Sequence, residues 1–335
     1  MSRSRSDRAA AWFFCALAGA SADCTSADAA RNSQPYPSRP VRLIIPFPPA
    51  GGTDIVGRVV GQKLNEKLGQ PFIIDNRGGA AGTLGAGIAA KAPADGYTIM
   101  LATASFAISA NFYMQLPYDS VRDFAAVARI ASGPLLFVLH PSVPARSIRE
   151  LIVLAKANPG KLNYASGGEG GINHLPAEMF NHMAGVRLVH IPYKGAGPAL
   201  AALLGGEVQL MIATLGSCLP HVRSGKLRDL AIAGERRSSL APQVPTVAEA
   251  GVPGYAADSW YGMVAPRGTP PDVVNLLNRE ITAALEREDV RAQFVALGFE
   301  PASSTPAQFA DYLKSEIVKW GRVVKESGIS AEVAR

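Results

Sequence analysis

Short apolar runs and amphipathic runs alternate along most of the chain. Residues 41–45, VRLII, are apolar apart from Arg42, with β-branched Val41, Ile44 and Ile45, and IVGRVVGQKLNEKLG from Ile55 repeats its apolar positions at helical spacing. The pattern predicts further strands over 72–77, 97–103, 134–140, 162–166, 186–193 and 207–214. Ser147 is placed to cap a helix that ends at Asn158-Pro159-Gly160, a second helix lies near NHLPAEMFNHMAG, and Pro198 sits in the first turn of a third. The C-terminal region reads as helices. Thr269 caps one at Pro270-Pro271, with Val274, Leu277, Ile281 and Leu285 on one face, and Thr305-Pro306 opens another. In that last helix Phe309, Leu313, Ile317, Trp320 and Val324 fall on one stripe, which reads as core. Strands alternating with helices predict an α/β architecture.

One arrangement recurs: an apolar strand, a Gly-rich turn, then a helix start. The turns are Pro48–Asp54, Gly167–Gly171 and Lys194–Gly197. A helix start offers unpaired N–H groups at the positive end of the helix dipole, which suits an anion. No lysine follows the glycines of the first turn, so a phosphate-cradling GxxxxGK loop is excluded and a carboxylate is favoured. Such glycines also serve simply to make tight connections. Three such turns in a chain without an enzyme motif favour a ligand site beyond the carboxyl ends of the strands.

The N-terminus departs from this pattern. Arg3, Arg5 and Arg8 precede the apolar stretch Ala9–Ala20, and small residues follow. That layout predicts a signal peptide over 1–30 and export to the periplasm. Cys15 leaves with such a leader, Cys24 depends on the cleavage point, and Cys218 then stands alone, so neither a disulfide framework nor a metal-type spacing is present. The net charge of +6 is dispersed, with no basic stripe for nucleic acid.

Enzyme chemistry is hard to assemble. There is no GxSxG elbow and no HExxH, and the glycines of 82–87 run opposite to the dinucleotide spacing. His174 and Glu178 lie four apart and could face each other, but a capping or hydrogen-bonded histidine is favoured over a metal ligand. Asp54 reads as an N-cap before it reads as a catalytic acid. No cofactor is expected.

The segments YPSRPVRLIIPFPPAGGTD, DNRGGAAGTLGAG, PADGYTIML, LPYDSVRDFAAVA, ANPGKLNYASGGEGGINHLPAEMF, VHIPYKGAGPAL, QVPTVAEAGVPGY and DSWYGMVAPRGTP together resemble the extracytoplasmic substrate-binding receptors of the tripartite tricarboxylate transporters, the Bug family. The likeness runs from about Tyr36 to Gly328. It implies a two-lobed periplasmic binding protein, a clamshell with two hinge strands, acting as a monomer with the membrane subunits of a transporter. Lobe one would comprise 36–131 plus 252–335, and lobe two 132–251. The ligand would be a small carboxylate held between two facing turns. One supplies Phe47, Ala50, Gly51, Gly52, Thr53 and Asp54; the other supplies Ser166, Gly167, Glu169 and Gly170. Thr103 and Ser105 would add hydroxyls, Thr214 would complete the ligand-binding set, and His174 would order the second turn. The chain departs from the family at Ala213-Thr214, where an acid followed by asparagine is frequent. The missing acid points to a di- or tricarboxylate or an aromatic carboxylate without an amino group. A hydrolase-like enzyme on a similar fold, or a sensor without a transporter, are the alternatives.

Overall fold

A computed structural model describes residues 35–49 and 51–328. The expected signal peptide, with Cys15 and Cys24, and the expected site residue Ala50 lie outside the described residues. Among the described residues no helix is long and apolar enough to cross a membrane.

The first sheet begins with β1 (Val41–Ile45), α1 (Gly52–Leu68), β2 (Phe72–Asn76), α2 (Thr83–Ala90), β3 (Thr98–Thr103), α3 (Ala104–Phe112) and β4 (Phe124–Gly133). The chain then builds a second sheet from β5 (Leu135–Leu139), α4 (Ile148–Ala157), β6 (Asn163–Ser166), α5 (Leu175–Ala184), β7 (Val189–Pro192), α6 (Ala196–Leu204), β8 (Leu210–Thr214), α7 (Leu215–Arg223) and β9 (Arg228–Ile232). It returns to the first sheet with β10 (Ser259–Pro266), α8 (Pro271–Glu286), α9 (Glu288–Ala296), β11 (Glu300–Pro301) and α10 (Pro306–Ser327). The strand orders are β11-β4-β10-β3-β1-β2 and β7-β6-β8-β5-β9. In each sheet the strands that lead into the Gly-rich turns run parallel: β1 with β2 and β3, and β6 with β7 and β8. Their carboxyl ends, and the turns beyond them, therefore gather on one edge of each sheet. This is a two-lobed α/β fold.

The lobes share a core where the chain crosses between them. Ile44 and Met100 of the first sheet belong to the same apolar cluster as Phe137 and Ile212 of the second, joined by Trp260 and Trp320. The stripe of α10 supplies part of it: Phe309, Leu313 and Trp320 are buried, while Ile317 and Val324 are half-buried against the cluster. Tyr255 packs on Phe137 and Phe180, and Ala257 N–H donates to the Ala233 carbonyl. Residues up to Ala257 thus lie with the second sheet.

Ser147 accepts from the Glu150 amide, and Thr305 forms a capping box with Gln308, as their positions predict. Thr269 does not cap α8. Its hydroxyl donates to the Pro266 carbonyl at 2.7 Å, and Pro270 takes the cap position. The C-terminal region is also not purely helical. It contains β10, whose eight residues are all buried between neighbours, so no alternating pattern marks it.

Candidate ligand-binding cleft

The first turn joins β1 to α1. Gly51 caps α1 without any side-chain hydrogen bond, which leaves the first amides of the helix open. Gly52 must be glycine: a Cβ there would lie 2.9 Å from the Tyr261 hydroxyl and 3.2 Å from the Phe299 ring. Asp54 neither caps the helix nor lines the cleft. It lies buried in the first turn of α1, where one carboxylate oxygen accepts from Asn76 Nδ2 at 2.9 Å and the other from Arg58 Nε at 2.8 Å. Asn76 Nδ2 also donates to the Phe47 carbonyl at 3.0 Å, so one amide holds both ends of the turn. A carboxylate in the first helical turn is itself favoured by the dipole.

The second turn follows β6 and is held by neutral groups. The Ser166 hydroxyl accepts from the Gly168 amide at 3.1 Å and lies 2.5 Å from His190 Nε2. The rings of His190 and His174 stack at 3.9 Å, and His174 Nδ1 accepts from the Gly170 amide at 3.1 Å. Burial lowers the pKa of His174 to about 3, with the neighbouring His190 adding to the effect, and burial lowers that of His190 to about 4. Both imidazoles are therefore neutral near pH 7, as the acceptor role of Nδ1 requires. Glu178 does not pair with His174: its carboxylate accepts from the Tyr164 hydroxyl. No cluster fit to hold a metal ion occurs among the described residues. Gly170 takes φ +68°, and a Cβ there would lie 2.6 Å from the Phe112 ring. The two lobes also touch through polar contacts. The Ile172 amide donates to Ser105 Oγ at 3.2 Å, and the Tyr113 hydroxyl donates to the Glu169 carbonyl at 3.4 Å.

Between the turns lies a cavity of about 310 Å³. Of the residues expected from sequence, Phe47, Gly51, Gly52, Thr53, Thr103, Ser105, Gly167 and Thr214 line it. Ser166, Gly170 and His174 stand behind it and shape the second turn, while Glu169 lies in an adjoining outer chamber. The third turn closes the wall with Lys194 and Gly195, the latter being the N-cap of α6. Ser259 and Tyr261 of β10 also reach the cavity; burial pushes the Tyr261 phenol up to about 12, so it stays protonated. Among the described residues Lys194 is the one charged side chain in this lining. Of the pair Ala213-Thr214, Thr214 lines the cavity, whereas the Ala213 side chain is fully buried in the core of the second sheet.

Sequence reasoning did not place Asn76, His190, Ser259 and Tyr261 in the site, although all four lie within the segments that carry the family resemblance. Lys194 had a signal, since it opens the third turn. A larger cavity, about 970 Å³, is an open groove between α5 and α10. It gathers no strand ends, so the smaller cleft, where three Gly-rich turns meet, is the candidate site.

Comparison with known proteins agrees with this assignment. The family model described as TctC, tripartite tricarboxylate transporter family receptor, matches residues 56–329. The chain is 40% identical to Protein BugT of Bordetella pertussis over 299 residues, covering 89% of this chain and 92% of the relative. Among solved structures it is similar to R. palustris Rpa4515 with adipate, at TM-score 0.84 and 37% identity over 88% of this chain and 99% of the other. It is also similar to MatC (Rpa3494) from Rhodopseudomonas palustris with bound malate, at TM-score 0.80 and 33% identity over 86% and 100%. The matched proteins are solute-binding receptors, not enzymes, which sets the hydrolase-like reading aside. The chain belongs to the tripartite tricarboxylate transporter receptors, the TctC or Bug family of solute-binding proteins.

Proposed function

We propose that this receptor works in the periplasm as a monomer. It captures a small carboxylate without an amino cation between its lobes and delivers it to the membrane subunits of a tripartite transporter. One observation carries the ligand assignment: the cavity is walled by hydroxyls, open amides and Lys194, and among the described residues no acidic side chain lines it. An anion is matched there, whereas an ammonium group would be desolvated without a partner. The relatives solved with adipate and malate support the same class.

Magnitudes are consistent with receptor function. Each charge-assisted hydrogen bond contributes about 1.5–3 kcal/mol net. Four of them supply about 6–12 kcal/mol before the cost of ordering the ligand and closing the lobes, and a micromolar affinity requires that about 8 kcal/mol remain. Closure follows because contacts from both lobes favour the closed state over the open one. Titration calorimetry tests the reading: di- and tricarboxylates or aromatic carboxylates bind, and aspartate and glutamate bind far more weakly. Tight binding of the amino acids without a response to plain carboxylates overturns it.

A further inference from the structure

We propose that the ligand carries an aromatic ring as well as its carboxylate, and that the cleft has a separate chamber for each. The inference rests on the carboxylate reading above and narrows it. The inner cavity of about 310 Å³ opens into an outer one of about 490 Å³. The two share Phe47, Ala81, Gly167 and Lys194 as common wall, so they are parts of one continuous cleft.

Their chemistries differ. The aliphatic hydroxyls of Thr53, Thr103, Ser105, Thr214 and Ser259 all belong to the inner chamber. The outer chamber is lined by Phe47, Tyr113 and Tyr193 together with Glu169; of these rings Phe47 also faces the inner chamber, which has Tyr261 as its other ring. An anion therefore belongs inside and an apolar, flat group outside. Three aromatic side chains offer the offset and edge contacts that rings prefer, and a rigid ring loses less freedom on binding than a flexible chain does. An aromatic cage with an acid nearby could also suit a quaternary ammonium. Lys194 borders both chambers and places a like charge beside any such cation, which argues against it.

The wall between the chambers is also conformationally specified. Ala80 and Ala81 take φ of +45° and +52°, a region that L-residues with a Cβ rarely occupy, and Ala81 faces both chambers. Unusual backbone of this kind persists where the surroundings over-determine it, and it clusters at ligand sites.

The test is titration calorimetry of the mature protein with succinate and citrate on one side and phenylacetate and terephthalate on the other. The ring-bearing acids are expected to bind at least tenfold more tightly than the ring-free ones. Y113L and Y193L should each weaken the ring-bearing acids about three- to tenfold, the range of an aromatic pair contact. Y193L should leave succinate unchanged, while Y113L, which also loses the contact to the Glu169 carbonyl, should weaken succinate less than the ring-bearing acids; thermal unfolding shows that both variants remain folded. If succinate or citrate binds as tightly as the ring-bearing acids, the two-chamber assignment fails while the carboxylate reading stands. The assignment also fails if the tyrosine variants weaken both sets alike. If none of the four acids binds, both readings fail.

Discussion

The two facing turns wall the same cavity, yet they are held in different ways. The first is tied by charge: the buried Asp54 carboxylate, Arg58 and Asn76 fix its two ends. The second is tied by neutral rings: His174 and His190 stack and hold the Ser166 and Gly170 segment through imidazole nitrogens. Both solutions keep fixed negative charge out of the cavity lining. The first does so by neutralising its acid behind the turn, the second by using groups that burial keeps uncharged. An anion site needs rigid donors without a competing anion, and the two lobes meet that need with different chemistry.

The contrast can be broken most severely at the first turn. G52V should abolish carboxylate binding in calorimetry. It should also lower the melting temperature, because the new side chain runs into the Tyr261 hydroxyl and the Phe299 ring. N76A removes hydrogen bonds to both Phe47 and Asp54. It should cost about 2 kcal/mol of stability and roughly tenfold in affinity, read by denaturant unfolding and calorimetry. K194M should weaken binding by about tenfold and flatten its dependence on ionic strength, since it removes the one charged side chain of the lining.

The second turn should respond to acid instead. Its histidines are neutral in the fold, with pKa values lowered to about 3 and about 4 from 6.5. The unfolded chain then binds more protons than the native one between pH 6.5 and about 4, so stability falls as pH falls through that window. H190Q should make the melting temperature less sensitive to pH there, while N76A should leave that sensitivity as it is. If the two variants exchanged these behaviours, the division between a charged and a neutral turn would be wrong.

Much of the architecture was legible in the chain because the parallel strands and amphipathic helices carry their own periods. VRLII and the helix after it are examples, and the glycines and prolines mark the turns between such elements. Elements buried on every side were not legible. The strand β10 and the helix α3, ASFAISANF, lack an apolar face because nearly all their faces are apolar or small. The site followed the same division. Glycine-rich turns could be found locally, whereas Ser259 and Tyr261 reach the cavity from a strand distant in sequence. Asp54 was misread because its position at a helix start suggests a cap, while its partner Asn76 comes from a different strand.

The shared core between the lobes also carries a built-in optical probe. Both Trp260 and Trp320 are buried and donate their indole N–H groups to one oxygen of Glu316, at 3.1 and 3.2 Å. The third tryptophan, Trp12, lies outside the described residues. Trp260 stands at the start of β10, where the chain re-enters the first sheet. Two chromophores locked to a common carboxylate beside that crossing share one electrostatic environment, so a small rotation of the lobes alters the field on both. Ultraviolet emission from the unlabelled protein should therefore follow capture of its ligand in real time.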